Sequence, residues 1–188
     1  MTYFADLHLH STYSDGTFTP TEVVQKAHEL GFSTISLTDH DTVAGLSEAF
    51  EAARDAGLEL IPGVELSVDQ DGSEVHILGY FIEWQDANFV KTLKELEAER
   101  LGRLEEILRR LKRLGFHLGR EEVMAQNCHG TVGRLHVAQA LVQKGLLPSV
   151  KEAFRLYLGN GRPAYVEKMG ITLIEAIELI IKAEGIPV

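Results

Sequence analysis

The first eighty or so residues alternate two apolar rhythms, period two over strand-length runs and period 3.6 over helix-length runs. That alternation favours an α/β layout with a mainly parallel sheet. The spacing predicts strands near 3–10, 33–39, 58–67 and 74–83. Between the first two, Thr19-Pro20-Thr21-Glu22 opens a helix with a cap residue and a proline at its first position, and Gly31 ends it. A second helix is expected from near Thr42 through Ala49, Phe50 and Ala53 to Gly57.

From Asp86 the pattern changes. Phe89, Val90, Leu93, Leu96, Leu101, Leu104, Ile107, Leu108, Leu111 and Leu114 recur at helical spacing among dense Glu, Lys and Arg. Those charges read as a solvated face with pairs such as Glu105 to Arg109. Shorter helices are expected near 120–127, 133–144 and 149–158, punctuated by Gly130, Gly145 and Gly159-Asn160-Gly161. The strand–helix pattern returns at Ala164-Tyr165-Val166 and at a helix over 172–184, and Gly185 then leads into Ile186-Pro187-Val188, the start of another strand. The expected division is an α/β part over 1–85, a helical insertion over 86–163 and a return to the first part over 164–188. At 188 residues the chain supports one core of ordinary size and a smaller subdomain.

A formal charge of −10 argues against a sequence-independent grip on long duplex nucleic acid through phosphates, unless bound cations reverse the local field. The single cysteine, Cys128, excludes an internal disulfide, and no apolar run is long enough for a membrane span. The start of the chain carries acid and histidine rather than a basic stretch followed by an apolar one, so a signal peptide is not expected and a cytoplasmic protein is.

Chemistry concentrates at strand faces and strand ends. Asp6-Leu-His8-Leu-His10 puts Asp6, His8 and His10 on one strand face, with the imidazoles about 7 Å apart, and Asp15 follows in a Ser14-Asp15-Gly16 turn. The next strand runs into Thr38-Asp39-His40-Asp41, the third carries Gly63-Val64-Glu65 and the fourth Val75-His76-Ile77. In parallel α/β folds the carboxyl ends of strands converge on one mouth, so His8, His10, Asp15, His40, Glu65 and His76 are expected to meet. Imidazole and carboxylate without thiolate suit zinc, manganese or iron, and a bridging glutamate lets two ions sit about 3.5–4 Å apart. Such a cluster lowers the pKa of a bound water toward 7 and holds the oxygens of a transferring phosphoryl group, so hydrolysis of a phosphate ester follows.

These motifs, in this order and spacing, resemble the PHP (polymerase and histidinol phosphatase) family. The resemblance implies a distorted (β/α)7 TIM-like barrel with a metal centre of up to three divalent ions (Mn, Zn, Fe or Mg). By position, His8, His10 and Glu65 would hold one metal. Glu65 would bridge to a second that His76 also binds, and Asp15 and His40 would hold a third. The segment Gly133-Arg134-Leu135-His136-Val137-Ala138, with Leu141-Val142 and Gly145, is similar to the nucleotide-phosphatase and exoribonuclease branch. There the insertion covers the metal site, so Arg134 and His136 are implied to reach the substrate phosphate, a role that a planar guanidinium suits. The structural alternative is an arginine in a surface salt bridge and a capping histidine. Enzymes of that branch dephosphorylate nucleoside 3',5'-bisphosphates or trim short RNA from its 5' end by metal-activated hydroxide.

After a segment like Gly185-Ile186-Pro187-Val188 the family continues with Ala-His-Pro and an Asp-x-His pair, so a barrel cut short at the C-terminus is expected here. A noncatalytic PHP-like module, or an inactive fragment, is the alternative function. Other candidates are weaker. His28 and His117 read as structural, and Cys128-His129 lacks metal-ligand spacing. Asp39 and Asp41 are candidates to orient His40, Asp41 equally to cap the next helix. No glycine-rich phosphate loop and no nucleophile elbow is present.

Overall fold

The computed structural model describes residues 4–70, 73–126, 132–167 and 170–188. A five-stranded sheet, in spatial order β1-β2-β3-β4-β5, carries the first part of the chain. Strands β1 (Ala5–Leu9), β2 (Thr34–Leu37) and β3 (Glu59–Gln70) are parallel. Helices α1 (Pro20–Glu29) and α2 (Leu46–Ala56) form the crossovers between them. Thr19 caps α1 in a reciprocal box: its hydroxyl accepts from Glu22 N–H at 3.2 Å, and the Glu22 carboxylate accepts from Thr19 N–H at 2.8 Å. Gly57 ends α2 in the left-handed region, at φ 68°.

Strand β4 (Ser73–Tyr80) departs from the parallel expectation. It pairs antiparallel with β3, from Gly63 opposite Tyr80 to Gln70 opposite Ser73. A parallel return needs a crossover of a dozen or more residues, and the chain between β3 and β4 is far too short for one. The sequence Asp71-Gly72 is itself a hairpin signal. Strand β5 (Ile186–Pro187) adds antiparallel to β4, so β1 and β5 are the edges of an open sheet among the described residues.

Helix α3 (Ala87–Arg113) is about 40 Å long and joins two hydrophobic cores. Its first turns place Phe89, Leu93 and Leu96 against the core formed by β2, β3, α1, α2 and helix α7 (Leu173–Lys182). Its later turns place Leu104, Ile107, Leu108 and Leu111 in a second cluster with Val137, Leu141, Ala153 and Leu158. That cluster is completed by α4 (Arg120–Met124), α5 (Arg134–Gln143) and α6 (Val150–Ala153), which runs on as a π-helical turn over Phe154–Leu158. No described helix is long and apolar enough to cross a membrane.

Two expected elements move. Ala164-Tyr165-Val166 is not a strand: the Tyr165 and Val166 carbonyls accept side-chain donors from Arg110 and Arg103 of α3, the latter at 2.9 Å, instead of a neighbouring backbone. Helix α2 begins at Leu46, not near Thr42, because the backbone turns at Asp41, whose φ is 51°. Gly63 has a steric reason: an added Cβ would lie 2.4 Å from Ser36 Oγ and 2.8 Å from Thr38 Cγ2, so glycine lets β3 pass close to β2.

Candidate metal centre

The six expected residues come together at one end of the parallel strands. Glu65, on β3 and 3% exposed, is the hub. Its Oε2 lies 2.9 Å from Nε2 of His8, on β1, and 2.9 Å from Nε2 of His10, just beyond the end of β1. Its Oε1 lies 2.7 Å from His76 Nδ1 on β4. The antiparallel hairpin therefore does what a parallel strand was expected to do, presenting His76 to the same carboxylate. Asp15 Oδ1 lies 3.2 Å from His10 Nδ1, and Asp15 Oδ2 lies 3.7 Å from His40 Nε2. Three sets of donor atoms, His8-His10-Glu65, His10-Asp15-His40 and His40-Glu65-His76, each lie within 4.8 Å of one another. Imidazole nitrogens and carboxylate oxygens at such separations fit divalent cations of borderline hardness.

Local folding explains each placement. Beyond β2 the chain keeps company with β3: Glu65 N–H donates to Asp39 O at 3.2 Å and Asp41 N–H donates to Glu65 O at 2.9 Å, which sets His40 beside Glu65. Asp39 is buried, and its carboxylate accepts from Ser11 N–H at 2.7 Å, Ser11 Oγ at 2.6 Å and Ser14 Oγ at 2.6 Å. It thus anchors the turn that carries Asp15. Gly16 completes that turn, since a Cβ there would sit 2.3 Å from His10 O. Asp41 does not cap α2; its Oδ1 accepts from Ser67 N–H at 2.8 Å and its Oδ2 meets the guanidinium of Arg100.

The electrostatics are those of tightly juxtaposed charges. Burial pulls the His10 imidazolium down, but hydrogen bonds and charge from Asp15 and Glu65 outweigh it and raise its pKa to about 9. The hydrogen bond from His10, working against burial, lowers Asp15 to about 2. Burial lowers His40 to about 4 despite Glu65 and Asp15. Burial pushes Glu65 up, yet the surrounding imidazoles hold it far below the usual carboxylate range.

Arg134 and His136 line a cavity of about 320 Å³ that opens onto Asp15, His40 and His76. The Arg134 guanidinium lies 5.3 Å from the Tyr165 ring centroid and 6.0 Å from that of Phe154. Cation–π stacking thus helps to hold it beside the cavity. The capping half of the structural alternative is present: His136 Nδ1 accepts from Gly133 N–H at 3.0 Å. The same buried ring lines the cavity, and burial lowers its pKa.

Spacing alone missed two cavity residues, Arg100 and Arg103 of α3. The helix charges are not simply a solvated face: the Arg100 side chain is 12% exposed, and Arg109 and Arg110 pair with Glu106 rather than Glu105. A signal was present, because 93, 96, 100, 104, 107 and 111 form one helical stripe, apolar except at Arg100. His28 and His117 are exposed and belong to none of the three donor sets. Leu7 is 37% exposed, while Leu9 packs on the core. Cys128, His129 and Gly130 lie outside the described residues.

Known proteins are similar to this chain. A 5'-3' exoribonuclease of Haemophilus influenzae is 39% identical over 188 residues, which is all of this chain and 68% of that protein. A 3',5'-nucleoside bisphosphate phosphatase of Chromobacterium violaceum is 35% identical over 185 residues, 97% of this chain and 65% of its own length. A solved structure from Bifidobacterium adolescentis, described as a metal-dependent phosphoesterase, superposes with a TM-score of 0.90 at 30% identity, over 100% of this chain and 66% of that one. The chain spans about two thirds of the length of these relatives. The PHP domain profile matches residues 6–132, a span that takes in every member of the Glu65-centred cluster, and the chain belongs to the PHP domain family.

Proposed function

We propose that the protein is a metal-dependent phosphoesterase that hydrolyses a phosphate ester of a nucleotide, either a nucleoside 3',5'-bisphosphate or the 5' end of a short RNA. The observation that carries this reading is Glu65. One nearly buried carboxylate faces imidazoles with both oxygens, Oε2 toward His8 and His10 and Oε1 toward His76, so Glu65 would serve as a ligand shared within a metal centre. His8, His10, Asp15, His40, Glu65 and His76 would hold the metals, with manganese, zinc, iron or magnesium compatible with the donors. A divalent metal there supplies Lewis acidity and a water acidic enough to react near neutral pH.

The chain's own residues supply recognition. Arg134, held against Tyr165 and Phe154, presents its guanidinium to an anion in the cavity, and His136 fixes the first turn of the helix that carries it. The cavity suits a small phosphorylated substrate and not a duplex. Charge is segregated in the same sense. Residues 86–163 contain 14 of the 18 Lys and Arg but 9 of the 28 Asp and Glu, a formal +5, which leaves −15 for the remainder. An anionic substrate is thus drawn to the helical side, while the acidic side holds cations.

The test pairs elemental analysis with phosphate release from adenosine 3',5'-bisphosphate and from 5'-phosphorylated short RNA. The manganese-loaded protein is expected to turn over one of them. Glu65→Gln and His8→Ala are expected to lose bound metal and to slow hydrolysis by more than the ~10–100-fold typical of losing an outer-shell partner. Unchanged metal content and rate in both variants would overturn the proposal.

A further inference from the structure

Arg100 occupies a position on α3 where the apolar stripe calls for a hydrophobic residue. A long cation there is costly to bury unless it is fully engaged. Its Nη2 donates to Ser67 Oγ at 2.8 Å and contacts Asp41 Oδ2, whose side chain is 1% exposed. Asp41 is itself locked: its Oδ1 accepts from Ser67 N–H, its N–H donates to Glu65 O, and its φ of 51° lies in the left-handed region. Ser67 Oγ then lies 3.4 Å from His40 Nδ1. On the other side of the guanidinium, Nη1 would be 3.8 Å from a Cβ on Gly133, the cap of the helix that begins with Arg134.

One side chain therefore stands between both halves of the cavity. It meets the backbone-anchored loop that carries His40, and it lies beside the helix start that carries Arg134 and His136. We propose that Arg100 is a positioning residue, which docks the helical part onto the Asp41–Ser67 pair and, through Ser67, sets the His40 ring for the cation that Asp15 and His40 would hold. The inference rests on the reading of the cluster as a metal centre. Arg100 serves that centre from outside: the contacts of its Nη2 are to Asp41 and Ser67, and its buried Nε has no hydrogen-bond partner among the described residues. Nη2 meets the carboxylate and the hydroxyl while Nη1 lies toward the Gly133 turn, a spread over two nitrogens that a lysine's single point charge does not reproduce.

The opposing assignment is that Arg100, as a cavity-lining cation, grips the substrate phosphate directly. Manganese binding followed by EPR in the absence of substrate, together with steady-state kinetics, separates the two. In Arg100→Met, the weakest manganese position is expected to lose affinity by about 10–100-fold, and kcat to fall by a similar factor with KM little changed. Arg100→Lys, which keeps the charge and guards against a variant that fails to fold, is expected to show the same kcat-weighted loss in milder form. The double variant Asp41→Asn/Arg100→Met removes the carboxylate charge that has lost its guanidinium and is expected to recover part of the thermal stability lost in Arg100→Met. Unchanged manganese affinity with a KM raised about tenfold or more would overturn the proposal in favour of direct phosphate contact. Unchanged affinity, kcat and KM would overturn it outright. A wild-type protein that binds no manganese would instead bring down the metal-centre reading, and this inference with it.

Discussion

Glu65, His10 and His40 hold opposite protonation preferences within a few ångströms. In the metal-free protein His10 keeps its proton up to about 9, above the unfolded value of 6.5, so it stabilises the fold fully below pH 6.5, and that contribution is lost as pH rises toward 9. His40 is lowered to about 4, so the unfolded chain takes up its proton first, and stability is lost as pH falls from 6.5 toward 4. The two slopes predict a maximum in the melting temperature of the metal-free protein near pH 6.5. Thermal melts across that range check it, and a curve still rising toward pH 9 would contradict the His10 assignment. Saturating manganese is expected to flatten the alkaline limb, because a cation replaces the His10 proton as the partner of Glu65 and Asp15. These protonation states come from three-dimensional proximity, which the residue spacing announces only in part: the Asp-Leu-His-Leu-His run places His8 and His10 on one face, but nothing local says that Glu65, 57 residues beyond His8, will accept from it.

At the level of elements, β3 is the critical strand. It pairs with β2 on one side and β4 on the other, and it carries Gly63, Glu65 and Ser67. Gly63→Ala forces a methyl against Ser36 and Thr38, and is expected to cost about 1–3 kcal/mol in urea unfolding. A neutral result would mean that β2 and β3 approach less closely than described. The direction of β4 illustrates where pattern reading is blind. Side chains alternate across a strand with the same two-residue period in parallel and antiparallel pairs, so the α/β rhythm of the preceding segments does not give the direction of β4, and Asp71-Gly72 is the local turn signal. Likewise the apolar periodicity of α3 shows where a helix buries its face but treats Arg100 as an interruption, when it is the contact that binds the helix to the His40 loop.

Across the whole molecule, one continuous helix ties a core beneath the candidate metal centre to a second core that carries the cation-rich wall of the cavity. Damage to the second core should therefore reach substrate recognition before it reaches the His8-His10-Glu65 donors. Leu141→Ala, at a fully buried position, is expected to destabilise by about 2–5 kcal/mol and to raise KM while leaving the metal bound by that set in place. Leu66→Ala, next to Glu65 in the first core, is expected to lower metal content. Elemental analysis and kinetics on the two variants check the division, and metal lost equally from both would refute it. By itself the sequence determined strands β1 to β4, the capped start of α1 and the six side chains of the candidate metal centre, because periodicity, caps and strand-end motifs are local and each residue carries its chemistry with it. Only the tertiary structure decided which oxygen of Glu65 each imidazole meets, that β4 runs antiparallel, and that Arg100 turns inward to Asp41 and Ser67. Those outcomes depend on contacts between residues far apart in the chain, where the cost of burying charge is settled by the partner that the fold supplies.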